Sequence, residues 1–141
     1  MHTLYKAHGH AEGGRNGRAS NQDGTVAVEL SIPMSMGGPG RAGTTTPEDL
    51  FAVGYAACFG SACEFVAKGM GLSPSKLVIE SAVAIGTVEG GAFQLEVTLT
   101  ARVGGLSQPD AERLVHRAHE VCPYSRAVRG NVQVHLDVVG E

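Results

Sequence analysis

Three cysteines in 141 residues make an odd count, and no CxxC pair occurs among them. Zinc-ribbon and thioredoxin-type chemistry therefore lack their spacing. There is also no phosphate loop, no dinucleotide-binding glycine fingerprint and no nucleophile elbow. The net charge is −3 with both signs dispersed, so neither a basic stripe for nucleic acid nor an acidic tail is present. The opening residues, MHTLYKAHGH, contain no apolar core of the kind a secretory signal needs. The one prominent uncharged run, residues 50–63, is fourteen long, short of the roughly twenty that span a bilayer. These absences point to a cytoplasmic protein without a membrane segment, in which any disulfide would be transient and chemical rather than structural. No internal repeat or low-complexity stretch interrupts the chain, whose length suits a single domain over residues 1–141. His8 and His10 alternate, and His116 and His119 are spaced i, i+3, but neither pair has a carboxylate or cysteine in ligand spacing. All four read as solvent-facing, and no metal site or bound cofactor is expected.

What the chain does have is a small-residue apolar helix around a cysteine. Residues 46–70 read TPEDLFAVGYAACFGSACEFVAKGM. Thr46 suits an N-cap and Pro47 the first helical position, where its missing N–H is no loss. Glu48 and Asp49 then face the positive end of the helix dipole. Gly54, Ala56, Ala57, Gly60, Ser61 and Ala62 let neighbours approach the backbone closely. Lys68 and Gly69 fit a helix C-terminus. A helix so apolar predicts burial over most of its circumference, with Cys58 in the middle.

The remaining chain is mostly strand. Residues 3–11 predict a first strand, Asn16-Gly17 a hairpin turn with two positive-φ positions, and residues 18–20 a short return arm. Asp23-Gly24 leads into TVAVELSI, where Val26, Val28, Leu30 and Ile32 alternate. Residues 33–45, PMSMGGPGRAGTT, form a long connection of the kind that is often functional. Residues 77–86 and 93–103 alternate around a Glu89-Gly90-Gly91 turn and predict a hairpin with one wet and one buried face. Residues 107–121 are amphipathic, with Ala111, Leu114, Val115, Ala118 and Val121 as the apolar stripe. Residues 132–139 close the chain as a strand. The predicted class is α+β, with antiparallel strands in the order βββ-α-ββ-α-β around a buried central helix.

A buried cysteine is ordinarily a small hydrophobe. Cys58 draws interest because a second cysteine, Cys122, occupies a different setting. Pro123 disfavours α geometry at Cys122, which places that thiol at a helix-to-loop corner able to move. Cys63 is five residues beyond Cys58, about 140° round the helix, and cannot reach it to form a disulfide. A redox pair, if there is one, is Cys58 with Cys122. Burial raises a thiol's pKa and a thiol reacts as its thiolate, so Cys58 needs a cation. Arg15, Arg18 and Arg41 are the candidates, and Glu48 is placed to hold an arginine fork.

GGRNGRAS with a following DG, TPEDLFAVGYAACF and VCPYSRAVRGN together resemble the organic hydroperoxide resistance proteins of the osmotically inducible protein C (OsmC) superfamily. The resemblance covers the whole chain, in order. It implies that Arg15 and Glu48 assist a peroxidatic cysteine, Cys58, and that Cys122 is the resolving cysteine. It further implies an intertwined homodimer and reduction by dihydrolipoyl groups carried on a protein. Cys63 inherits no role from it.

The expected function is a thiol peroxidase that turns organic hydroperoxides into alcohols through a Cys58 sulfenic acid and a Cys58–Cys122 disulfide. Met34, Met36 and Phe51 would favour alkyl or lipid peroxides. Two alternatives carry the same cysteines: the osmotically induced branch of the superfamily, and a non-enzymatic redox sensor. Neither nucleic acid nor a membrane is an expected partner.

Overall fold

The computed structural model describes residues 1–141, which divide into two compact units, Met1–Leu50 and Phe51–Glu141. In the first unit, β1 (Gly9–Glu12), β2 (Arg18–Asn21) and β3 (Ala27–Glu29) form an antiparallel meander in the order β1-β2-β3. The strands are shorter than the alternation predicts. β1 begins at Gly9 rather than residue 3, because its ladder on β2 reaches only from Gly9 opposite Asn21 to Glu12 opposite Arg18. Residues 3–8 find no strand partner in the chain, and Leu4 and Tyr5 are left exposed. The expected Asn16-Gly17 turn is absent. Gly13 and Gly14 take the positive φ angles instead, and residues 14–16 wind into a single 3-10 turn.

The long connection is ordered by its own hydrogen bonds. Thr45 N–H donates to the Glu29 carbonyl at 2.9 Å, and Ser31 N–H to the Thr45 carbonyl at 3.2 Å. Arg41 donates to the carbonyls of Leu30 and Asn16, at 2.8 and 3.2 Å. Leu30 is buried and its carbonyl needs a partner, which the guanidinium supplies while also bonding the exposed Asn16 carbonyl.

Helix α1 (Pro47–Met70) runs without interruption for 24 residues. At its start the Thr46 hydroxyl accepts from Asp49 N–H at 3.1 Å, while the Asp49 carboxylate accepts from Thr46 N–H at 3.1 Å. This is a reciprocal capping box, with aspartate in place of glutamate. The end lies one turn-step beyond the expected Lys68-Gly69. Leu72 N–H bonds the Ala67 carbonyl and Gly71 N–H the Lys68 carbonyl, with Gly71 at φ +67°. Those two bonds define a Schellman stop, which needs a residue able to turn left-handed. By length and composition α1 would suit a bilayer crossing, although its uncharged run is only fourteen residues. Tyr55, Phe59 and Cys63 are nonetheless fully enclosed by protein, as in a core helix.

The expected burial over most of its circumference holds on one side only. Tyr55, Phe59, Ala62, Cys63, Val66 and Ala67 are buried, whereas Val53 is 71% and Phe65 76% exposed. These two lie on a stripe with Ala57 and Ser61, each four residues from the next.

In the second unit, β4 (Lys76–Thr87) and β5 (Phe93–Gly104) form the expected hairpin. α2 (Gln108–Val121) follows, with the Ser107 hydroxyl capping Asp110 N–H. Next comes α3 (Pro123–Val128), a short helix beyond the two expected, and then β6 (Gln133–Gly140). β6 does not continue the antiparallel pattern. It lies parallel to β5, Val97 opposite Val134 and Leu99 opposite Leu136, in the order β4-β5-β6. Two helices separate β5 from β6, and a helical crossover returns a strand in the same direction as the first. As the middle strand, β5 buries Val97, Leu99, Ala101 and Val103 completely. They meet Leu114, Val115 and Ala118 of α2 and the buried face of α1 in one core cluster.

Candidate active site

In the first unit, the 3-10 turn after β1 presents Arg15, and the first turn of α1 presents Glu48. Arg15 donates through both terminal nitrogens, Nη1 to Oε2 at 2.8 Å and Nη2 to Oε1 at 2.6 Å. This fork matches the planar geometry of guanidinium to that of carboxylate. The Glu48 side chain is 12% exposed and that of Arg15 34%. The hydrogen bond to Arg15 holds the Glu48 carboxyl below its ordinary range against an opposing effect of burial. The same bond raises the Arg15 pKa further. Of the other candidate cations, Arg18 pairs with Glu12 on the surface at 3.2 Å, and Arg41 is committed to loop carbonyls. Arg15 is the one held in a bidentate fork. Met34 and Met36 lie on a second 3-10 turn of this unit, both solvent-exposed.

In the second unit, Cys58 on α1 and Cys122 between α2 and α3 are brought together, their Sγ atoms 3.7 Å apart. No disulfide links them. Cys122 is not at the free corner its proline suggested. Its φ and ψ of −56° and 125° end α2 and begin α3, with Pro123 at the first position of the new helix. Proline breaks one helix and favours the start of another. Cys122 N–H bonds the Ala118 carbonyl and its own carbonyl accepts from Arg126 N–H, at 2.8 and 2.9 Å. The residue is fully buried, while Cys58 is half-buried.

Burial is the main force raising the Cys58 thiol pKa; the Tyr124 backbone N–H opposes it, and the adjoining Cys122 sulfur adds to the rise. No cation of this unit acts on Cys58. Cys63 lies deep in the core, and burial pushes its thiol up to about 12.

An aromatic cluster joins α1 to α3. Phe51 packs edge-on to Tyr55, with centroids 5.8 Å apart, and Tyr124 lies 5.7 Å from Tyr55 and 6.0 Å from Phe51. Gly54 permits this, since a Cβ there would stand 3.2 Å from the Tyr124 hydroxyl. Behind the rings, the Tyr55 hydroxyl bonds Ser125 Oγ at 2.8 Å, and Ser125 Oγ bonds His119 Nδ1 at 2.9 Å. His119, expected to face solvent, is half-buried. Its pKa is lowered by burial first, and then by Arg129 and His116. Tyr55 and Ser125 are absent from the residues expected at the site, and His119 was expected only at the surface. The available signal was spacing: Tyr55 lies three residues before Cys58, and Ser125 three after Cys122.

Residues 38–137 match the family model described as OsmC-like protein. The organic hydroperoxide resistance protein of Xanthomonas axonopodis pv. citri is 47% identical over 134 residues, covering 94% of this chain and 93% of that protein. The chain belongs to the OsmC-like family, in its organic hydroperoxide resistance branch. Organic hydroperoxide resistance protein OhrB of Bacillus subtilis is 42% identical over 136 residues, covering 96% of this chain and 98% of that protein. A crystal structure of an organic hydroperoxide resistance protein from Elizabethkingia anophelis, 40% identical, superposes with a TM-score of 0.93 and covers 100% of both chains. The α+β fold of this OsmC-like protein, with its two sheets and three helices, is thus that of solved relatives.

Proposed function

We propose that the protein is a cysteine-based peroxidase that protects against organic hydroperoxides by reducing them to alcohols. The observation that carries this reading is the 3.7 Å approach of two sulfurs 64 residues apart in the chain. The Cys58 thiolate attacks the terminal peroxide oxygen, the O–O bond breaks, and the departing alkoxide takes a proton to become the alcohol. Cys58 is left as a sulfenic acid. The Cys122 sulfur then attacks the Cys58 sulfur, the S–O bond breaks, and hydroxide leaves with the thiol proton as water. An external dithiol of the dihydrolipoyl class, carried on a lipoylated protein, reduces the disulfide and completes the cycle. Both electrons pass through sulfur, so the reaction calls for no bound cofactor. It suits a reducing cytoplasm. Phe51 and Tyr124, whose rings pack 6.0 Å apart, favour an alkyl or lipid peroxide over hydrogen peroxide.

Arg15 and Glu48 serve this chemistry across a homodimer. Glu48 and Cys58 lie ten residues apart on one unbroken helix, a rise of about 15 Å that no glutamate side chain spans. Within its own unit Cys58 has no cation to offset burial. The fork of one protomer therefore stabilises the thiolate of its partner.

Peroxide consumption at steady state tests the reading. Cumene hydroperoxide should disappear rapidly and saturably with a dihydrolipoyl donor, and slowly with a thioredoxin donor. One oxidation per added dithiol without saturable turnover would replace the peroxidase by a redox sensor.

A further inference from the structure

Tyr55 and Ser125 have no part in the steps above, yet each flanks a cysteine in the same way. Tyr55 stands three positions before Cys58 on α1, and Ser125 three positions after Cys122 in α3. Residues three apart on a helix are neighbours on one face. The two segments accordingly meet at two adjacent rungs, sulfur to sulfur at 3.7 Å and hydroxyl to hydroxyl at 2.8 Å. Tyr55 and Ser125 are fully buried, so the second rung is shielded from competing water.

The Ser125 hydroxyl also meets Nδ1 of His119 at 2.9 Å, in the last turn of α2. A hydroxyl donates once and accepts at its lone pairs, so Ser125 joins α1, α2 and α3 at one atom. Arg129, just beyond α3, closes the same corner by donating Nη2 to the His119 carbonyl at 2.5 Å.

The two rungs behave differently during turnover. Closing the disulfide takes the sulfurs from 3.7 Å to about 2.05 Å, while the hydroxyl rung can remain intact. Cys122 is the residue on which α3 begins, so drift of α3 carries its sulfur away. We propose that Tyr55, Ser125 and His119 are positioning residues for the resolving step, a hydroxyl clasp that keeps Cys122 within reach of oxidised Cys58. This rests on the peroxidase reading above. The clasp touches neither reacting atom. It sets how fast condensation competes with a second peroxide, which would carry the sulfenic acid on to sulfinic acid.

Single-turnover kinetics of the full-length protein with cumene hydroperoxide separate the steps. Tyr55→Phe and Ser125→Ala should form the Cys58 sulfenic acid within about twofold of wild type. Both should close the disulfide about tenfold more slowly, the scale of one lost buried hydrogen bond, and accumulate sulfinic acid by mass. Ser125→Thr, which keeps the hydroxyl, should restore closure. General loosening would slow both steps together, and that result, or closure at the wild-type rate, overturns the proposal. Should Ser125→Ala fail to fold, Tyr55→Phe decides, since it keeps the ring and removes only the oxygen. If wild type forms no sulfenic acid with the hydroperoxide, the peroxidase reading has failed. Diamide then supplies the oxidant, and equal rates of disulfide closure in wild type and Tyr55→Phe would overturn the clasp by itself.

Discussion

Three thiols in one chain meet three environments, and environment assigns them different work. Cys63 is enclosed by hydrocarbon with its pKa raised to about 12, so it is a thiol at any physiological pH and packs as a small hydrophobe. Cys63→Ser should keep peroxide turnover, and iodoacetamide at pH 8 should leave Cys63 unlabelled in the folded protein. Cys58→Ser should abolish peroxide consumption. Cys122→Ser should react once and leave a sulfenic acid that dimedone traps; finding that adduct on Cys122 in wild type would reverse the roles. The Arg15–Glu48 fork adds a pH dependence whose sign is fixed. Glu48 titrates below its ordinary value of 4.5 because of Arg15. The stabilisation is thus fully present above about pH 4.5 and fades as pH falls through the lower folded-state pKa. Glu48→Gln should flatten that acid limb of the stability profile. An unchanged limb would show that the fork does not contribute.

That Cys122, and not Cys63, stands beside Cys58 was legible because helix spacing excluded Cys63 and proline singled out Cys122. The Tyr55–Ser125 bond was not, because its partners are 70 residues apart and neither residue type announces a role. At the scale of elements the same divide recurs. Alternation placed the β4–β5 hairpin closely, since each side chain there reports which face it occupies. It could not give the direction of β6: a strand of period two reads the same whether paired parallel or antiparallel, and the intervening helices decide. α3 escaped because its six residues are too few to show a period, and Pro123 reads equally as a stop or a start. Ser81 shows where pattern and packing disagree. It occupies an inward position among Leu77, Ile79, Val83 and Ile85, and its hydroxyl is buried with no hydrogen-bond partner. Ser81→Ala should therefore stabilise the protein by about 1 kcal/mol, read as a rise in denaturation midpoint without a change in slope. Gly71→Ala should do the opposite, costing about 1 kcal/mol at a left-handed position.

For the whole molecule, the exposed apolar side chains set the remaining question. Val53, Phe65 and Phe93 are each at least 70% exposed, and Val53 and Phe65 share one stripe of α1. An exposed apolar stripe on a long helix is most economically covered by another chain. The paired expectation is a homodimer in which fork and thiol come from different protomers, because Glu48 and Cys58 stand ten residues apart on one uninterrupted helix. Mixing makes this measurable. Cys58→Ser homodimers lack the nucleophile, and Glu48→Ala homodimers lack the carboxylate that holds Arg15. A mixed dimer carries an intact fork on the Cys58→Ser chain and an intact thiol on the Glu48→Ala chain. If the site is shared, those two groups meet, and each mixed dimer regains one working site. With random exchange half of the dimers are mixed, so activity should return to about a quarter of wild type per chain. If the site lies within one chain, every chain in the mixture remains defective and mixing restores nothing. Tagging the two chains differently and isolating the mixed species would remove the exchange equilibrium from the comparison, and recovery should then approach half. Failure at that stage, in a dimer shown to contain both chains, would return the fork to its own protomer's cysteine and require a different account of how α1 brings them together.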